Sequence, residues 1–72
     1  MKKIVFIVER TNTGYSAYAN DYMVYTAGSD LKELKANILE AVNLYFEEEG
    51  RMITPDEIKI TLDLPQFFEF YK

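Results

Sequence analysis

Ser29 to Gly50 reads SDLKELKANILEAVNLYFEEEG, and its periodicity runs long enough to fix an element type. At about 100° per residue, Leu31, Leu34, Ile38, Val42 and Tyr45 fall on one narrow stripe, flanked by Leu39, Ala41 and Phe46. Glu33, Glu40 and Glu47 lie opposite, as a wet face should. Asp30 with Glu33 three residues on forms a capping box, Ser29 being the alternative cap. Gly50 suits the residue just past a helix end. A helix over 29–50 is therefore predicted. Two features do not belong to a purely structural helix. Leu44 falls on the polar side, and Glu47, Glu48 and Glu49 stand at the C-terminal end, where the helix dipole disfavours anions.

Before the helix come three short strands. Ile4 to Val8 is a β-branched apolar run of the kind found in a central strand, with Ile4, Phe6 and Val8 pointing one way and Val5 and Ile7 the other. Thr11-Asn12-Thr13-Gly14 is a turn cluster, and Tyr15 to Ala19 returns as the second strand of a hairpin. Asn20-Asp21 marks the next turn, Met23 to Ala27 a third strand, and Gly28 its end. After the helix, Thr54-Pro55-Asp56 starts a new element. Glu57 to Leu64 then alternates strictly, with Ile58, Ile60, Leu62 and Leu64 inward. A strand separated from its sheet by a long helix runs parallel to its neighbour through a right-handed crossover. The predicted architecture is α+β: β-β-β-α-β, an antiparallel meander with the fourth strand beside the first, in spatial order 3-2-1-4. Residues 1–64 make the domain. Pro65 ends the last strand, and residues 65–72 form an aromatic tail. The tail either covers the sheet's second face, packs on a second chain, or opens a helix that continues in a longer protein.

Composition narrows the chemistry. With neither His nor Cys in 72 residues, disulfides, Cys/His zinc sites, an imidazole base and a thiolate nucleophile are all excluded. A net charge of −4 argues against direct binding of a nucleic-acid backbone, which needs a basic stripe. It suits a basic protein partner instead. The longest apolar run is far short of the roughly 20 residues of a membrane span, and a cytoplasmic location is expected. A domain this small buries only about 60% of its unfolded surface, so association with another copy, most simply as a dimer, is expected to add stability.

No catalytic constellation emerges. Glu9, Glu40 and Asp63 could be gathered into a metal site on paper, but Glu40 faces away from the sheet. Ser16 and Ser29 have no histidine to activate them, and the glycines are isolated at turns. Tyr15, Tyr18, Tyr22 and Tyr25 on the second and third strands are expected to pack across strands. The residues left for partner contact are Leu44 and the tail rings Phe67, Phe68, Phe70 and Tyr71, because interface cores favour aromatics. Glu47, Glu48 and Glu49 could meet a basic partner. No metal or cofactor is expected.

A first strand ending in Glu9, then Gly14-Tyr15, Ala17, Asp21, a third strand ending in Gly28, and a helix carrying Leu31, Leu34, Asn37-Ile38, Glu40-Ala41 and Leu44-Tyr45 together resemble the HicB family of bacterial antitoxins. The resemblance covers roughly residues 2 to 64. Asp21-Tyr22-Met23-Val24 stands where family members often carry a Pro-Gly-Cys-like turn. The resemblance implies a partial ribonuclease-H-like fold and a non-catalytic, dimerising domain that sequesters a small basic toxin that cleaves messenger RNA. Such antitoxins usually add a helix-turn-helix or ribbon-helix-helix segment after this domain. The chain is accordingly expected to be cut short of that segment or to lack it. The alternative expectation is a dimerisation and regulatory module of a longer helix-turn-helix transcriptional regulator.

Overall fold

A computed structural model describes residues 3–62. The chain is α+β, as predicted. Strands β1 (Ile4–Thr11), β2 (Gly14–Ala19) and β3 (Tyr25–Gly28) form an antiparallel meander. Helix α1 (Leu31–Tyr45) crosses over, and β4 (Ile58–Leu62) returns parallel to β1, giving the order β3-β2-β1-β4. Asp63, Leu64 and the aromatic tail, with Phe67, Phe68, Phe70 and Tyr71, lie outside the described residues.

The core is one face of the sheet against one face of the helix. Alternation along β1 sends Ile4, Phe6 and Val8 to the helix side, where all three are buried, and leaves Val5 and Ile7 half-buried on the other. Leu34, Ile38 and Val42, the middle of the predicted stripe, are buried with them, and Phe46 and Ile53 close the end of the cluster. Leu31 and Tyr45, the two ends of the stripe, are exposed, at 39% and 44%.

Close approach fixes where the helix sits. A side chain at Gly28 would come within 2.6 Å of the Leu34 nitrogen, and one at Gly14 within 2.4 Å of the Gly28 carbonyl oxygen. Tyr15 and Gly28 are paired in register, so the two glycines let the β3–α1 corner press onto β2. The helix consequently lies over β3 and β2. Asn37 fastens it there, its side-chain amide donating to the Ala27 carbonyl at 2.7 Å.

Strand β1 runs on to Thr11, past its expected end at Glu9, by pairing with Gly14, and other boundaries also differ from the sequence-based expectation for local reasons. Strand β3 starts at Tyr25 instead of Met23 because Val24 is tied into the turn. Its N–H donates to Tyr22 and its carbonyl accepts from Ala19, both at 2.9 Å. The α-helix ends at Tyr45 and does not reach Gly50. Glu47–Glu49 form a separate 3-10 turn, closed by Gly50 in the left-handed region at φ 71°. The three glutamates thus stand just past the end of α1, on the 3-10 turn. Pro55–Glu57 form a second short 3-10 turn, so β4 opens at Ile58.

The cap is Asp30, whose carboxylate accepts the Glu33 N–H at 2.7 Å. Glu33 reaches back one residue further than a standard capping box, accepting the Ser29 N–H at 2.6 Å and the Ser29 hydroxyl at 2.7 Å. These bonds, the backbone one foremost, hold the Glu33 carboxyl below its ordinary value of 4.5. A carboxyl lowered on folding stabilises the fold above its unfolded pKa and loses that contribution as pH falls through the folded value. Glu33→Gln should therefore lower Tm at pH 7, and the deficit should begin to shrink near pH 4.5 and vanish only below the lowered folded value, as followed by circular dichroism across pH. Ile38→Ala, which empties the centre of the core, should cost about 2–5 kcal/mol in denaturant unfolding.

Candidate protein-interaction site

The outer side of α1 and the connector after it enclose a groove of about 640 Å³, lined by Leu39, Glu40, Leu44, Glu47, Met52 and Pro55 among others. Its geometry comes from one side chain. The Asn43 Oδ1 accepts the Ile53 N–H at 2.7 Å, and its Nδ2 donates to the Ile53 carbonyl at 3.2 Å and the Leu39 carbonyl at 3.0 Å. The amide thus acts as a strand edge for one residue of connector. Ile53 is buried as a result, and Met52, its neighbour, is turned outward.

Leu44, off the apolar stripe by sequence, is 65% exposed, and Met52 is 82% exposed. Both line the same groove, and the exposed carboxylates Glu40 and Glu47 line it with them. Arg51 also lies at its wall, with its guanidinium carbon 5.0 Å from the centre of the Phe46 ring. That ring is the hub of an edge-to-face cluster with Tyr22 at 5.2 Å and Tyr45 at 5.1 Å, which anchors the end of α1.

Of the residues singled out by sequence, the structure brings Leu44 and Glu47 together. Glu48 and Glu49 are exposed on the 3-10 turn and do not line the groove. The tail rings lie outside the described residues. Sequence reasoning missed Met52, placed in a connector without periodicity, and Asn43, whose role depends on a backbone ten residues away. The tyrosines divide. Tyr18 and Tyr25 pair directly across β2 and β3, Tyr22 joins the Phe46 cluster, and Tyr15 packs on the core.

Elsewhere, the Thr54 hydroxyl donates to the Asp56 carboxylate. This bond, with one from its own backbone, lowers the Asp56 pKa below its ordinary value. The Lys3 ammonium donates to the Asp56 carbonyl at 2.8 Å. Among the described residues no group of three or more carboxylates could hold a metal ion, and no helix is long and apolar enough to cross a membrane.

A UPF0150 protein of Archaeoglobus fulgidus is 40% identical to this chain over 48 residues, covering 67% of the chain and 73% of that relative. The chain belongs to the UPF0150 family. No family model matches it, and no solved structure matches it. The groove of this UPF0150 chain is apolar at its centre, with Glu40, Glu47 and Arg51 among its lining, and Asn43 fixes the connector that forms one wall. Replacing Asn43 by Ala leaves the Ile53 N–H and carbonyl without partners, at a cost of about 1–3 kcal/mol. Faster hydrogen exchange at the Ile53 amide is the check, with exchange along β1 and β2 quickened only by the global loss of stability.

Proposed function

We propose that this UPF0150 chain is a HicB-like, non-catalytic protein-binding domain that acts as an antitoxin by sequestering a small basic toxin that cleaves messenger RNA. One observation carries this: Leu44 and Met52, two large apolar side chains, are held out in water beside Glu40 and Glu47. Large apolar groups gathered on a surface mark contact sites. Burying each contributes about 1.5–3 kcal/mol. The carboxylates, backed by a net charge of −4, steer a cationic partner and penalise an anionic one. Sequestration requires coverage of the toxin and no chemistry from this chain. The β-β-β-α-β order and the HicB-like positions along β1, β3 and α1 support the same function.

Co-expression tests it. On this proposal a small basic protein is required to be encoded beside this chain and to arrest growth when expressed alone. It should be neutralised, and should co-purify in fixed stoichiometry, when this chain is present. Leu44→Asp with Met52→Asp should abolish both rescue and co-purification while leaving Tm nearly unchanged, since both sites are exposed. Failure of the unaltered chain to bind or neutralise that protein overturns the proposal.

A further inference from the structure

Two-electron oxidants have few places to act on this chain. With no Cys, His or Trp in the sequence, the thioethers of its 3 methionines are the groups a peroxide attacks most readily. Met1 lies outside the described residues. Met23, in the turn between β2 and β3, is 94% exposed and stands away from the acid-rimmed groove. Met52 is 82% exposed and lines that groove beside Leu44. The adjoining groove between α1 and β4, of about 510 Å³ and lined by Ala36, Ile38, Leu39, Ile58 and Ile60 among others, has no sulfur in its lining. The exposure of Met52 is built in, because Asn43 holds both backbone groups of Ile53 and the buried Ile53 side chain leaves its neighbour facing out.

We propose that Met52 is a redox-sensitive contact, through which peroxide decides whether the free chain can capture its basic partner. This rests on the groove being the surface that the partner covers. The Met52 sulfur attacks one oxygen of hydrogen peroxide, an S–O bond forms and the O–O bond breaks. The sulfur gives up two electrons, the peroxide takes them, and the hydrogen of the attacked oxygen leaves with the other oxygen as water. The product is methionine sulfoxide, polar where the thioether was apolar. In water this changes nothing in the fold, since Met52 is not part of the core. Under a partner it does, because the new oxygen is an acceptor that must lose its water. Leu44 offers it no donor, and the carboxylates Glu40 and Glu47 only accept. The one cation of the lining, Arg51, lies against the Phe46 ring. A bound partner shields Met52, so the reaction meets the free chain and blocks capture. Reduction of the sulfoxide by methionine sulfoxide reductase restores it.

The test treats the full chain with hydrogen peroxide, removes the oxidant, and then adds the basic protein encoded beside it. Peptide mass spectrometry should find sulfoxide at Met23 and Met52 alike, with the circular dichroism spectrum and Tm unchanged. Affinity by titration calorimetry should fall about tenfold or more, and should return after treatment with reductases for both sulfoxide epimers. Met23→Leu should lose affinity on oxidation as the unaltered chain does. Met52→Leu should bind equally with and without prior oxidation. In the preformed complex, Met52 should resist peroxide while Met23 reacts. An untreated chain that does not bind the basic protein overturns both the groove's role and its redox control. An untreated chain that binds overturns the redox control alone if oxidation costs no affinity, if Met52→Leu loses as much, or if Met52 reacts as freely in the complex as outside it.

Discussion

A single helix about 10 Å across cannot cover four strands spaced about 4.8 Å apart. Which strands it covers is therefore the decision on which the rest of this structure depends. Here the close contact of Gly28 with Leu34 sets α1 over β3 and β2, and the Asn37–Ala27 hydrogen bond holds it there. Most of what lies beneath the helix is consequently small on its inward side, Ala17 and Ala19 on β2 and Thr26 and Gly28 on β3, with Tyr15, opposite Gly28, the large exception. Away from it the inward residues grow, to Phe6 and Val8 on β1 and Ile58 and Ile60 on β4. Side-chain size thus offsets the missing layer, and Phe6 and Val8 are fully buried although the helix axis is not above them. The compensation runs out at β4, where the isoleucines are only half-buried and Leu62 is open to solvent.

The same placement shapes the other end of the helix. Because α1 crosses the sheet over β3 and β2, the chain must travel back to β4 along the helix flank. The twelve connector residues from Phe46 to Glu57 span that distance in two 3-10 turns and two buried anchors, Phe46 and Ile53. A connector of that kind has no sheet to satisfy its backbone. Asn43 supplies the donor and acceptor that a neighbouring strand otherwise would. Once Ile53 is fixed inward, Met52 is forced outward next to Leu44, so the exposed apolar pair is a by-product of satisfying one peptide's hydrogen bonds.

How much of this was legible in the sequence follows from the range of each interaction. The helix, its Asp30 cap, the central position of β1 and the 3-2-1-4 order rest on local periodicity and on chain connectivity, and both are written along the sequence. Leu44 stood out as well, since an apolar residue on a polar face is a local contradiction. Met52 was not legible because its exposure is set by Asn43, nine residues earlier, through a backbone contact that no spacing announces. The end of the α-helix at Tyr45 was hidden for a similar reason. Glu47–Glu49 have good helix propensity, whereas the burial of Phe46 against Tyr22 and Tyr45, where the α-helix gives way to a 3-10 turn, is a tertiary contact.

The two surfaces left by the helix's position are chemically distinct although they adjoin. Leu39 and Pro55 form a shared wall, lining both the acid-rimmed groove and the groove beside β4. On one side of that wall, Glu40 and Glu47 accompany the apolar side chains. On the other, Lys35 and the carboxylate-free strand β4 do. One helix set off-centre over its sheet thus leaves two adjoining apolar grooves whose linings differ in charge.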